Sequence, residues 1–225
     1  MRSRDRVAIG WLDPGNVDGR WAADLVRLVR SRDARLHDST IRILCNGLLS
    51  RGRNELVRTF LDRTDAAWLL MLDTDHQLPV PAFDKVIAAA HDTDRPVVSG
   101  LYFAAYPSDP YPLPVPTIYR LTPEGRGAPI NDYPADTVIP IDACGAGFLL
   151  VHRSALEAIR SSAAEPDWCW FADGPVGGAW MSEDITFCAR LAAHGIPIHA
   201  HTGAVLPHHK DYWLDDRHHP GGTHG

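Results

Sequence analysis

"WLLMLDTDHQLP" (residues 68–79) carries five apolar residues, Trp68 to Leu72, straight into two carboxylates, Asp73 and Asp75. A short run that is apolar on both faces is the pattern of a parallel strand covered by helices on both sides. Two like charges at the rim of such a strand need a physical reason. A bound cation provides one, because it relieves the repulsion between neighbouring acids. At a strand end, where the chain turns, the two side chains can converge on one ion. Hard carboxylate oxygens suit Mg²⁺ or Mn²⁺, which complete their shells with phosphate and water.

Working outward from that strand, "RVAIGW" (6–11) reads as a first strand stopped by the turn cluster "LDPGN". "DGRWAADLVRLVRSR" (18–32) spaces Trp21, Leu25, Leu28 and Val29 as one helical face. "IRILCNG" (41–47) is a second strand, and "RNELVRTFLDRT" (53–64) a second helix with Leu56, Val57, Phe60 and Leu61 on one side. "PAFDKVIAAAHD" (81–92) predicts a third helix and "PVVSGLYF" (96–103) a fourth strand. This alternation predicts a three-layer α/β domain with its ligand at the carboxyl edge of the sheet.

The rhythm breaks at residue 104. The stretch to 136, rich in proline and aromatics, shows one plausible strand, "PTIYRL", and reads as a substrate-facing excursion. "VIPIDACGAGFLLVHRSALEAIR" (138–160) predicts a strand, glycines, another strand and a helix. An irregular stretch with Trp168, Trp170 and Trp180 follows; core packing explains tryptophans more often than sugar stacking does. "SEDITFCARLAAHG" (182–195) is a helix with Ser182 as its cap and Gly195 as its stop. "IPIHAHTGAVLPHHK" (196–210) reads as a last strand leading into a His-rich loop.

The 225 residues are enough to bury a real core, with 45% apolar residues and 22% charged. A formal charge of -6 argues against a nucleic-acid-binding surface. Four scattered cysteines without a CxxC pair read as small buried hydrophobes in a reducing compartment. No secretory signal and no membrane span is legible, so the expectation is a cytoplasmic protein.

Two further clusters carry chemistry. "SRGRN" (50–54) sets Arg51, Arg53 and Asn54 at the start of the second helix, where free N–H groups favour an anion; a solvated helix end is the plainer reading. "SEDI" sets Glu183 and Asp184 at another helix start, where complementing the helix dipole would explain the acids without catalysis.

The set "LLMLDTDHQLP", "GAGFLLVHRSALEAI", "MSEDITFCARLAAHG" and "GAVLPHHK", in this order, resembles GT-A glycosyltransferases of the family-2-like type, above all the short stand-alone bacterial and phage enzymes. The resemblance spans about residues 5 to 212. It implies a three-layer α/β/α, Rossmann-like nucleotide-binding fold with a mixed central sheet. Residues 1–212 would form one domain, with a nucleotide-sugar half (1–103), an acceptor and catalytic half (104–212) and a mobile tail (213–225). It implies a UDP- or GDP-sugar donor, Mn²⁺ (or Mg²⁺), and an acceptor hydroxyl on a glycan, protein or small molecule. Gly10, Trp11 and Asn46 would contact the nucleotide, and Arg53 and Asn54 would lie beside the donor. Asp73 would face the ribose or sugar, and Gly145 and Gly147 would let the backbone approach that sugar. Asp75 would hold the metal with His208, favoured over His209. Lys210 would neutralise the leaving diphosphate. Asp184 would act as base, with Glu183 positioning it or the acceptor.

Competing readings stay open. A nucleotidyltransferase shares a related fold but wants a basic, Gly-rich loop after the first strand, and "GWLDPGNVD" lacks the basic residue. A dehalogenase-type phosphatase wants Thr or Val where Gln77 stands. A degenerate carbohydrate- or nucleotide-sugar-binding protein would keep the pocket without turnover.

Overall fold

A computed structural model describes residues 6–31, 33–108, 112–165 and 167–211; the expected mobile tail lies outside the described residues. The elements run β1 (Val7–Asp13), α1 (Gly19–Arg30), β2 (Leu36–Leu44), α2 (Leu49–Arg63), β3 (Trp68–Leu72), α3 (Val80–Ala89) and β4 (Val97–Leu101). Four short strands follow: β5 (Phe103–Tyr106), β6 (Leu113–Pro116), β7 (Ile118–Leu121) and β8 (Gly127–Pro129). Then come β9 (Val138–Ile141), β10 (Ala143–Cys144), β11 (Phe148–His152) and α4 (Arg153–Ser162). The chain closes with β12 (Gly174–Val176), β13 (Ala179–Met181), α5 (Glu183–Ala193) and β14 (Ile198–Val205).

Seven strands form one mixed sheet in the order β2-β1-β3-β11-β4-β14-β9. β1 pairs in parallel with β2 and β3, and β14 with β4, while β11 runs antiparallel between β3 and β4. Strands from both sides of residue 103 therefore interleave in one sheet. β3 is buried from Leu69 to Leu72 because each face meets a helical layer. Leu56, Val57 and Phe60 of α2, with Leu156 and Ile159 of α4 and Ile185 of α5, fill one side. Trp21 and Leu28 of α1, with Phe83 and Val86 of α3, fill the other.

Several elements depart from the sequence reading. Helix α2 begins at Leu49, about one turn before the expected start, so Arg53 and Asn54 sit inside the helix rather than at its free N–H groups. Val29 is 44% exposed, leaving Trp21 and Leu28 as the buried stripe of α1. Within 104–136 lie two antiparallel hairpin pairings, β5–β6 and β7–β8, where a single strand was expected. Pro114 and Pro116 cannot donate to a ladder, which masks β6 from a pattern reading. The tryptophan-bearing stretch near 174–181 is also a hairpin, turned by Gly177 and Gly178 at φ 58° and 109°.

Candidate functional site

The exits of β1, β3 and β4, the N-terminus of α5 and the segment after β14 meet at one edge of the sheet. The segments around Asp75 and His208 are zipped together by backbone bonds, Gln77 N–H to Pro207 O at 2.9 Å and His209 N–H to Asp75 O at 2.8 Å. That pairing brings His208 Nε2 to 2.9 Å from Asp75 Oδ2. The His208 Nδ1–H donates to the Phe103 carbonyl at 2.7 Å, so in a neutral ring Nε2 would turn its lone pair on the carboxylate. The arrangement calls for a positive charge between the two, a proton or a metal ion. Lys210 Nζ donates to the same Asp75 oxygen at 3.1 Å. Burial pushes the Asp75 carboxyl up, but its hydrogen bonds to His208 and Lys210 outweigh this and hold it well below the usual carboxylate range.

His76 was not expected here. It is 1% exposed, and neither ring nitrogen has a hydrogen-bond partner. Its Nδ1 is 3.3 Å from Asp75 Oδ1, close enough for an ion pair but misdirected for a hydrogen bond. The ring stacks on His208 at 4.2 Å between centroids, and Tyr102 packs edge-on against both imidazoles. Burial pushes the His76 pKa down to about 4. Ligand atoms of Asp75, His76 and His208 lie within 4.8 Å of one another. Two imidazoles and a carboxylate form a donor set that suits Mn²⁺ and its heavier neighbours better than Mg²⁺. The signal was present in the sequence, as a histidine directly behind an acid pair at a strand exit.

Asp73 stands on the other side of that exit. Its amide donates to Gly147 O at 2.8 Å, and Arg53 Nη2 lies 3.3 Å from its Oδ1. A Cβ on Gly147 would meet Asp73 Oδ2 and His76 Cε1 at 2.8 Å, and one on Gly145 would meet the Tyr102 hydroxyl at 2.1 Å. These glycines are thus required by the protein's own side chains, whatever approaches from outside. The buried Tyr102 hydroxyl accepts from Gly147 N–H at 3.0 Å, and burial together with Asp73 raises its pKa well above the ordinary value.

Arg53 is buried, its side chain 6% exposed, with Nη1 3.1 Å from Glu183 Oε1. The N–H direction misses that oxygen, so the contact is an ion pair rather than a hydrogen bond. Burial lowers the Arg53 pKa, but Asp73 and Glu183 more than restore it. Burial raises the Glu183 carboxyl, opposed by Arg53 and reinforced by Asp184. Ser182 does not cap α5 through its side chain; its hydroxyl donates to Asp184 Oδ1, which also accepts from Ile185 N–H at 2.8 Å. One Asp184 oxygen is thereby fixed, leaving Oδ2 for another partner. Tyr119 of β7 lies near Tyr106 and Asp184, and its phenol is raised first by burial and then by these two neighbours.

Other expected residues fall elsewhere. Gly10 is buried in mid-strand under Leu56, three residues short of the strand exit, and cannot face a nucleotide. Trp11 packs edge-on against Trp21 at 5.6 Å. The Asn54 amide is fully committed: it donates to Ser50 O and Phe171 O and accepts from the Trp170 and Phe171 N–H groups, leaving nothing for a donor. Asn46 is exposed in the turn after β2. His209 faces Asp18 and Asp211 instead of Asp75. Trp170 is a core residue whose indole N–H donates to Leu156 O at 2.9 Å, whereas Trp180 is 76% exposed.

Sheet order and helical cover define a GT-A-like α/β fold. Solved structures of other proteins share it. A197 from STIV superposes with a TM-score of 0.58 at 18% identity, over 95% of this chain and 99% of that one. GalNAc-T7, solved with UDP, GalNAc and Mn²⁺, gives 0.53 at 9% identity, over 90% of this chain and 43% of that one. At these identities the likeness is one of fold. No family model matches the chain, and no curated protein matches it significantly. No helix among the described residues is long and apolar enough to cross a membrane.

Proposed function

We propose that the protein is a metal-dependent glycosyltransferase that moves a sugar from a nucleoside-diphosphate donor to an acceptor hydroxyl. The observation that carries this reading is the His208–Asp75 contact at 2.9 Å, an imidazole nitrogen set against a carboxylate beside a cavity of about 460 Å³. Asp75 and His208 would hold Mn²⁺, with His76 behind them. When bound, the ion would neutralise the charge that develops on the leaving diphosphate.

The chain's own residues then divide the work. Lys210, which donates to Asp75, would meet that diphosphate, and Asp73, held by Arg53, would face the donor's ribose or sugar. Asp184 takes the proton of the acceptor hydroxyl as its oxygen bonds the anomeric carbon, and the anomeric C–O bond to phosphate breaks. Glu183 is the buried counter-ion of Arg53 and positions the neighbouring acid. Tyr119 of β7, whose phenol feels the charge of Asp184, supports placing the acceptor against the 104–136 segment.

The test is calorimetry with Mn²⁺ and UDP- or GDP-sugars on the parent protein and Asp75→Ala. Mn²⁺-dependent donor binding that vanishes in the variant is expected. Undiminished metal-dependent binding would overturn the assignment. Donor binding without release of nucleoside diphosphate, even with acceptors supplied, would favour a binding protein.

A further inference from the structure

Beyond the exits of β3 and β1, the sheet edge continues to the exit of β2. There the turn after Leu44 and the first turns of α2 enclose a cavity of about 420 Å³, lined by Leu44, Asn46, Leu48, Arg51 and Glu55 among others. Three features of it have no use in the reaction described so far. Leu44 and Leu48, at 64% and 72% exposed, are large apolar side chains left in water at its rim. The side chains of Asn46 and Arg51 make no hydrogen bond or ion pair with another described residue. Among the described residues the Glu55 side chain has only Arg58, at 4.0 Å, with both side chains more than a third exposed.

Position and shape suit the base end of a nucleotide. β3, β1 and β2 are adjacent, and at a strand spacing of about 4.8 Å the exit of β2 lies about 10 Å from that of β3. That is the span from a diphosphate to its base. Asp13, which lies between, is already taken by Gly15 N–H and by Arg42, so base contacts fall to the residues of the cavity. The wall comes close because residue 52 is glycine: a Cβ there would meet Cys45 Sγ at 2.8 Å.

We infer that the base of the donor is guanine; the inference rests on the glycosyltransferase reading, which puts the base in this cavity. A flat base covers the exposed Leu44 and Leu48. A carboxylate and a guanidinium in one pocket then select among bases. Guanine presents an adjacent donor pair, N1–H and the N2 amino group, which a carboxylate such as Glu55 accepts. It also presents the O6 and N7 acceptors that an arginine such as Arg51 addresses in a bidentate manner. Uracil sets two carbonyls around a single N–H, and a carboxylate repels them. Adenine carries an amino group beside N7, which meets the guanidinium donor to donor. The free amide of Asn46 satisfies whichever edge atom remains.

The test uses the full chain with Mn²⁺ and isothermal titration of GDP, UDP and IDP, the last lacking only the N2 amino group. GDP should bind roughly ten- to a hundredfold more tightly than UDP, with IDP between them. Glu55→Gln should erase the difference between GDP and IDP. Arg51→Gln should weaken GDP and IDP together and leave UDP unchanged. Both side chains are on the surface, and coincident unfolding transitions would show that the variants fold. UDP binding as tightly as GDP would overturn the guanine assignment while leaving a nucleotide-sugar site in place. A GDP-to-IDP ratio unmoved by Glu55→Gln would overturn the placement of the base. Failure of all three diphosphates to bind with Mn²⁺ would overturn the glycosyltransferase reading itself.

Discussion

Arg53 and Glu183 face each other at 3.1 Å across the sheet edge, and the same guanidinium reaches Asp73 at 3.3 Å. One buried charge thus joins the second helix, the exit of the third strand and the first turn of the fifth helix. Removing it strands two acids. Arg53→Met should cost about 3–5 kcal/mol of stability, because breaking a buried pair leaves an uncompensated charge. Glu183→Gln should cost clearly less, since Arg53 keeps Asp73. Urea unfolding of the two variants checks the order; an equal loss would mean that the pair with Asp73 contributes nothing.

The acid beside Glu183 has the reactive assignment. Asp184→Asn should lower turnover roughly 10²-fold or more, with donor affinity nearly unchanged. Steady-state kinetics paired with donor titration separates the two quantities. A larger turnover loss in Glu183→Gln than in Asp184→Asn would exchange their roles.

Adjacent histidines should behave differently. His208→Ala removes the ring that faces Asp75 and should weaken Mn²⁺ binding and activity together. His209→Ala removes a half-exposed ring directed at Asp18 and Asp211 and should change little. Electron paramagnetic resonance of Mn²⁺, which reads free ion directly, follows the difference without an activity assay. The opposite pattern would move the ligand by one residue.

Acid should weaken the metal-free protein through His76. Its folded pKa of about 4 lies below the ordinary value of 6.5, so between those values the unfolded chain takes up a proton that the folded one refuses. The stability it contributes is complete above pH 6.5 and falls as pH drops, levelling near pH 4, by on the order of 3 kcal/mol. Glu183, whose carboxyl is raised, works in the opposite direction, so the measured quantity is the difference in slope from His76→Gln. Chemical denaturation in chelator across this range supplies it. Parallel slopes in the two proteins would refute the assignment.

Periodicity made the first half of the fold legible. The buried run at Trp68–Leu72 and the helical spacing of Leu56, Val57 and Phe60 are local patterns that need no tertiary information. The start of α2 escaped because Leu48 and Leu49 are exposed and Gly52 weakens the helical signal, although that glycine is demanded by Cys45. With the start misplaced, Asn54 read as a free polar group when it is the clamp holding residues 170 and 171. The insertion of β11 between β3 and β4 is a tertiary choice with no local mark, and so is the stacking of His76 on His208.

The strand order also dictates a sequence of events during synthesis. β9, finished at residue 141, has no partner in the main sheet except β14, which is not complete until residue 205. β4 likewise waits for β11 before it gains a first neighbour. The β2-β1-β3 block can assemble as soon as it emerges, but β9 must idle on the growing chain for some sixty residues of translation. His208 follows the very strand that releases it. The proposed cation site is therefore completed only with closure of the sheet, and a stalled or truncated chain would carry the acids of the third strand without His208 to face them.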